Sequence, residues 1–156
     1  MLAVSYAAGI IQTVDNLKHA RIGHVHLKVR MLDRSIEFYR SVFGMQMTER
    51  VGTFAFLSFG NAHHDIALNE VGSDAKSPRS EDVGLYHFAV ELMDIDQLRS
   101  LRDRLGSLRV SFSAVNHGIS KAVYFEDPDG NGIEVYVDTR DSLGKKQWQG
   151  QSTTWE

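Results

Sequence analysis

Hydrophobic and polar positions along this 156-residue chain change period twice, in the same order each time. Ile22-Gly-His24-Val-His26-Leu-Lys-Val29 alternates as a strand does. Ile36, Tyr39, Val42 and Phe43 then recur on one face of a helix that Asp33 or Ser35 would cap and Gly44 would stop. Residues 45–51, 53–59 and 63–69 read as three further strands, and the Ser-, Asp-, Lys- and Pro-bearing stretch 72–82 as a linker. The order then begins again. Residues 84–92 form a strand, and Asp94 or Asp96 caps a helix with Leu98, Leu101 and Leu105 inward and Gly106 at its end. Strands follow over 109–114, 120–125 and 132–137. A period of roughly 62 residues is too long for a solenoid and suits a duplicated βαβββ unit.

The expected fold class is therefore α+β, with paired βαβββ modules, about 21–71 and 83–140, forming a cupped, barrel-like mixed sheet. They make one domain over 21–140, between an N-terminal extension at 1–20 and a C-terminal tail at 141–156. His24 and His87 hold the same place in the two copies. Packing of the copies side by side about a pseudo-twofold axis would bring these histidines together.

Candidate chemistry is densest between His117 and Glu134. Asp127-Pro128-Asp129-Gly130 has Pro and Gly where a tight turn wants them, so the runs on either side predict a hairpin. In its returning strand Ile133, Val135 and Val137 share one face, and Glu134, Tyr136 and Asp138 the other. Taken on that strand alone, Glu134 is a solvated glutamate, and only partners from elsewhere would make it a ligand. Asp127, Pro128 and Gly130 read as turn chemistry with no catalytic role.

Composition narrows the chemistry. The 17 basic and 20 acidic residues leave a formal charge of −3 without runs of one sign, which does not suggest a nucleic-acid or anionic-membrane surface. The absence of cysteine removes disulfides, thiolate nucleophiles and thiolate metal sites, so any metal must use His, carboxylate, Tyr or water. Seven histidines exceed what a fold requires, and His24, His26, His64 and His87 sit on strand-like runs. Residues 2–11 are mildly apolar but lack a basic leader and are shorter than a membrane span, so the expectation is a soluble, cytoplasmic protein. Trp148 and Trp155 lie in a polar tail, where a ring of that size is expected to pack on the body or on a partner.

Three segments, Ile22-Gly-His24-Val-His-Leu-Lys-Val, Arg34-Ser35-Ile-Glu-Phe38-Tyr39-Arg-Ser-Val-Phe-Gly44 and Gly84-Leu-Tyr-His87-Phe-Ala-Val, resemble the vicinal-oxygen-chelate superfamily of glyoxalases, bleomycin-binding proteins, fosfomycin-resistance proteins and type I extradiol dioxygenases. Val115-Asn116-His117, Val123-Tyr124, Asp127-Pro128-Asp-Gly130 and Glu134 look like the extradiol signature, and Ala62-His63-His64-Asp65-Ile66-Ala67-Leu68 is similar to a strand of that family carrying an acid–base histidine. The resemblance implies His24, His87 and Glu134 as metal ligands, with His64, His117 and Tyr124 around the substrate. It also implies Fe(II), with Mn(II) as the alternative, and cleavage of a catechol-type aromatic diol by O2, since two imidazoles and one carboxylate leave coordination positions open. His26 competes with His24 for its role, and His63 with His64. The better-known relatives carry an extra pair of modules, so a chain with one pair is expected to be a homo-oligomer that borrows a wall from its neighbour. Two rivals share the frame: a non-redox metal-dependent lyase or isomerase of the glyoxalase type, which would use a fourth ligand, and a metal-free ligand-sequestering protein.

Overall fold

The computed structural model describes residues 20–79, 81–144 and 147–155. The extension expected at 1–20, with its mildly apolar run, lies outside them except for Ala20. Two βαβββ modules follow one another. The first contains β1 (Val25–Val29), α1 (Leu32–Phe43), β2 (Gln46–Val51), β3 (Phe54–Ser58) and β4 (Ile66–Glu70). The second contains β5 (Phe88–Glu91), α2 (Ile95–Ser107), β6 (Phe112–Asn116), β7 (Ser120–Glu126) and β8 (Gly132–Asp138). A short helix α3 (Arg140–Leu143) and a strand β9 (Thr153–Thr154) complete the described chain. Among the described residues no helix is long and apolar enough to cross a membrane.

Each module is a mixed sheet whose first strand runs parallel to its last, in the orders β1-β4-β3-β2 and β5-β8-β7-β6-β9. The expected cupped, mixed-sheet α+β fold is present, with two open sheets in place of a closed barrel. Their registers correspond. His26 pairs with Ala67 and Ala67 with Phe56 in the first module; Ala89 pairs with Glu134 and Glu134 with Tyr124 in the second.

Local signals explain the helices only in part. Asp94 caps α2 as expected, its carboxylate accepting from the Gln97 N–H at 2.9 Å. Gly106, expected to stop α2, lies within its last turn, and the left-handed conformation falls on Arg109 at φ 58°. Neither Asp33 nor Ser35 caps α1. Met31 stands at that position without a side-chain cap, and the Leu32 N–H donates instead to Glu70 Oε2 at 2.7 Å. A carboxylate from the end of β4 thus meets the positive end of the helix. Gly44 ends α1 in the left-handed region at φ 71°, as its sequence position predicts.

The helices join the modules. α1 rests on β3 and β4, α2 on β7 and β8, and the two helices pack on each other. One apolar core results, running from Leu27, Ile36, Tyr39 and Leu68 to Leu98, Leu105, Val123 and Val135. A buried polar clamp crosses the same seam. Asp129 accepts from Arg30 at 2.8 Å, from Arg34 and from Ser35, while Asp127 accepts from the Tyr39 hydroxyl at 3.1 Å. These two carboxylates, only 5% and 7% exposed, therefore do more than shape the turn between β7 and β8. A buried charge must be paired and hydrogen-bonded, and here its partners come from the other module. With the modules fastened through their helices, β1 and β5 remain sheet edges and do not pair with each other.

Candidate functional site

The second module gathers four expected residues into one hydrogen-bonded row. Strand alternation turns Ile133, Val135 and Val137 into the core and leaves Glu134, Tyr136 and Asp138 on the opposite, half-buried face. Register sets Tyr124 directly beside Glu134, and the Tyr124 hydroxyl donates to Glu134 Oε1 at 2.8 Å. The other carboxylate oxygen lies 3.0 Å from His87 Nε2. His117, in the turn between β6 and β7, brings its Nε2 to 2.9 Å from the Tyr124 hydroxyl. Burial, then the hydrogen bond and charge of Glu134, push the Tyr124 pKa upward, so the phenol keeps its proton at neutral pH.

Those hydrogens have fixed directions. The single phenolic hydrogen is committed to a carboxylate, so Tyr124 oxygen accepts from His117, and His117 carries its hydrogen on Nε2. A cavity of about 550 Å³, lined by Tyr86, His87, His117, Tyr124 and Ile133 among others, opens beside the row. His87 reaches it because Gly132 has no side chain; a Cβ there would sit 2.4 Å from the Tyr86 carbonyl oxygen and 3.2 Å from the His87 Cβ.

The first module holds the other two expected residues. The His24 and His64 rings are 4.5 Å apart, and Phe56 lies 5.0 Å from His64. His63 is the neighbour of His64, with Nδ1 atoms 2.9 Å apart, and its Nε2 faces Glu49 at 3.3 Å. Desolvation, followed by repulsion from His24, His63 and His26, lowers the His64 pKa, which keeps that imidazole neutral to lower pH than usual. Of the four histidines read as lying on strands, His26 lies within one and the other three do not. His24 and His87 immediately precede β1 and β5, and His64 lies in the loop before β4. Asp65 holds that loop by accepting from the Phe59 N–H at 2.8 Å and from the Ser58 hydroxyl at 3.2 Å. The alternate-face choice between His63 and His64 therefore does not arise.

His24 thus stands with His64, and His87 with Glu134, Tyr124 and His117. Among the described residues no three His, Asp or Glu side chains are gathered closely enough to hold one metal ion. The His87 imidazole and the Glu134 carboxylate fit a divalent cation by type and stand together, and the His24 imidazole fits by type in the first module. The tail contributes contacts that sequence reading left without a role. Ser152 Oγ lies 3.3 Å from His117 Nδ1, and the Trp148 ring stands edge-on to His117 at 6.2 Å. Two tryptophans in a polar tail were the available signal.

A family model described as Glyoxalase/Bleomycin resistance protein/Dioxygenase superfamily matches residues 21–135. The chain is 35% identical over 129 residues to a catechol-2,3-dioxygenase of Bacillus subtilis, covering 83% of this chain and 45% of that one. It is 31% identical over 122 residues to a lactoylglutathione lyase of Arabidopsis thaliana, covering 74% and 43%. The chain spans less than half the length of each of these two relatives. Among solved structures, a glyoxylase/bleomycin resistance protein/dioxygenase domain from Frankia sp. EAN1pec superposes with a TM-score of 0.68 at 22% identity, over 76% of this chain and 98% of that one. A duplicated βαβββ frame and a match across both modules lead to one conclusion: the chain belongs to the Glyoxalase/Bleomycin resistance protein/Dioxygenase superfamily.

Proposed function

We propose that this protein is an extradiol dioxygenase, which opens a catechol-type aromatic diol with O2 at a mononuclear Fe(II), Mn(II) being the alternative metal. His24, His87 and Glu134 would hold the metal, whose chemistry is to bind diol and dioxygen together and pass electrons between them. The observation that carries the reading is the row His117–Tyr124–Glu134–His87, which joins a candidate ligand pair to two proton-handling groups within hydrogen-bond distance. The 35% identity to a catechol-2,3-dioxygenase supports the same chemistry.

The side chains divide the work. Tyr124 retains its proton and orients the Glu134 carboxylate. His117 donates from Nε2 to the Tyr124 oxygen, and a diol oxygen bound beside Tyr124 would take over that hydrogen. His64, kept neutral by burial and by the neighbouring imidazoles, is available as a base near pH 7. The half-buried setting of Tyr124 and Glu134 strengthens these contacts relative to water.

We further propose that the two halves meet between copies in a homo-oligomer, with His24 and His64 of one chain facing His87 and Glu134 of another. The modules of one chain are fastened through their helices, both first strands are edges, and Met47, Val51 and Phe54 remain exposed around the first sheet.

A non-redox lyase is the rival, favoured by the 31% identity to a lactoylglutathione lyase. Register argues against it. The first-module equivalent of Glu134 is Ala67, which has no group to act as a fourth ligand. Anaerobic loading with Fe(II), followed by oxygen uptake and yellow product absorbance on adding a panel of catechols, tests the proposal. Uptake matched one-to-one to product supports it. No uptake with any catechol, together with turnover of a hemithioacetal under Zn, Ni or Co, overturns it in favour of the lyase.

A further inference from the structure

The C-terminal segment 147–155 is fastened to the module that carries the hydrogen-bonded row. β9 pairs with β6 at Val115 and Asn116, next to His117. Trp155 is buried, donates from Nε1 to the Ala122 carbonyl at 3.0 Å, and is covered by Arg102 and Lys121 at 5.3 and 5.5 Å from its ring. The Gln151 side chain lies over Gly118, whose φ of +77° shapes the turn beside His117; Gln151 Nε2 is 2.1 Å from where a Cβ would be. Trp148 is tied back by its Nε1 donating to the Gln151 carbonyl at 2.9 Å. Three separate contacts, through β9, Trp155 and Gln151, therefore hold this segment against β6, β7 and the turn between them.

His117 is the residue that gains from them. Its Nε2 hydrogen is directed at Tyr124, which leaves Nδ1 as the acceptor of the neutral ring. Ser152 Oγ faces that atom at 3.3 Å. Rotation of the ring by 180° would replace both nitrogens by carbons at their partners, so the Ser152 hydroxyl opposes the flip from one side as Tyr124 does from the other. Trp148, edge-on at 6.2 Å, flanks the same ring. We propose that Ser152 is a positioning residue for His117, and that the tail is thereby a working part of the site. This rests on the reading of His117 as an active-site residue.

The test compares the parent protein with Ser152→Ala and Ser152→Thr. Side-chain 15N resonances of His117, recorded on the metal-free protein at neutral pH, report the two ring nitrogens independently of any activity. In the parent, the Nε2 proton is observable and Nδ1 carries the shift of a hydrogen-bond acceptor. In S152A the Nδ1 resonance moves by several ppm and the Nε2 proton is lost to exchange with water, whereas S152T keeps both. With catechol as substrate, S152A lowers kcat about tenfold with KM within about twofold, and S152T restores it. Unchanged His117 resonances in S152A overturn the inference. Altered resonances in a protein whose parent takes up no oxygen uphold the positioning role and reject the dioxygenase reading instead.

Discussion

The two modules have the same register and different chemistry. Where the second has Tyr124 beside Glu134, the first has Phe56 beside Ala67. Where the second presents His87 bonded to a carboxylate, the first presents His24 among His26, His63 and His64. Duplication preserved the backbone positions and allowed the side chains on them to specialise. One module presents a cluster of imidazoles, the other a carboxylate bonded to an imidazole and a phenol. Under the proposed ligand set neither face would be complete by itself, which is why a site shared between copies is proposed.

Subunit complementation would break this comparison most decisively. Glu134→Ala and His24→Ala should each lose oxygen uptake by about a thousandfold or more, because each would remove a proposed ligand. Mixing the two inactive variants under subunit exchange should restore about a quarter of the parental rate, since half of randomly formed dimers are mixed and each has one intact site. No recovery, in a protein shown by light scattering to be oligomeric, would overturn the shared site.

Tyr124→Phe makes the second module resemble the first. It should lower kcat for a catechol by about ten- to a hundredfold while leaving the urea midpoint nearly unmoved, because the phenol acts on protons and orientation. Asp129→Asn instead attacks the seam between modules. Loss of the carboxylate that receives Arg30, Arg34 and Ser35 should destabilise the chain by about 2 kcal/mol, discounted from the value for a fully buried pair because both arginines are partly exposed. Equilibrium urea unfolding measures it.

Tyr39 reports on the same seam through pH. Burial, then the charge and hydrogen bond of Asp127, hold its pKa well above 10.0, so folding favours the neutral phenol. That stability is complete below pH 10 and is lost as the pH rises beyond it. Tyr39→Phe should cost about 1 to 2 kcal/mol at pH 7 for the lost hydrogen bond, and the gap to the parent should narrow at pH 11. A constant gap between the two pH values would exclude Tyr39 from the alkaline loss. The smallest effect concerns His64. NMR titration should place its midpoint below the ordinary 6.5, and His24→Ala should move it back toward that value by removing both cover and like charge.

Much of this architecture was legible in the residues. The repeated change of period located both modules, and alternation along β8 assigned Glu134 to the face opposite the core. The spacing of His117, Tyr124 and Glu134 anticipated a group that register then joined by hydrogen bonds. Asp127 and Asp129 were legible only as turn residues, because Tyr39, Arg30 and Arg34 lie 88 to 99 positions away. The cap of α1 escaped for the same reason, being Glu70 and not a local Asp or Ser. The tail was legible as two tryptophans expected to pack, of which Trp155 is buried, but their partners were not.

What the sequence alone determined, then, is each module: its strands, its helix and the row of side chains along its last hairpin. Periodicity and turn chemistry act over a few residues, and a duplicated pattern states them twice. Which faces meet was decided only by the tertiary structure. A buried carboxylate clamp and a shared helical core fasten the modules through α1 and α2, and among the described residues no three His, Asp or Glu side chains then gather to hold one metal ion.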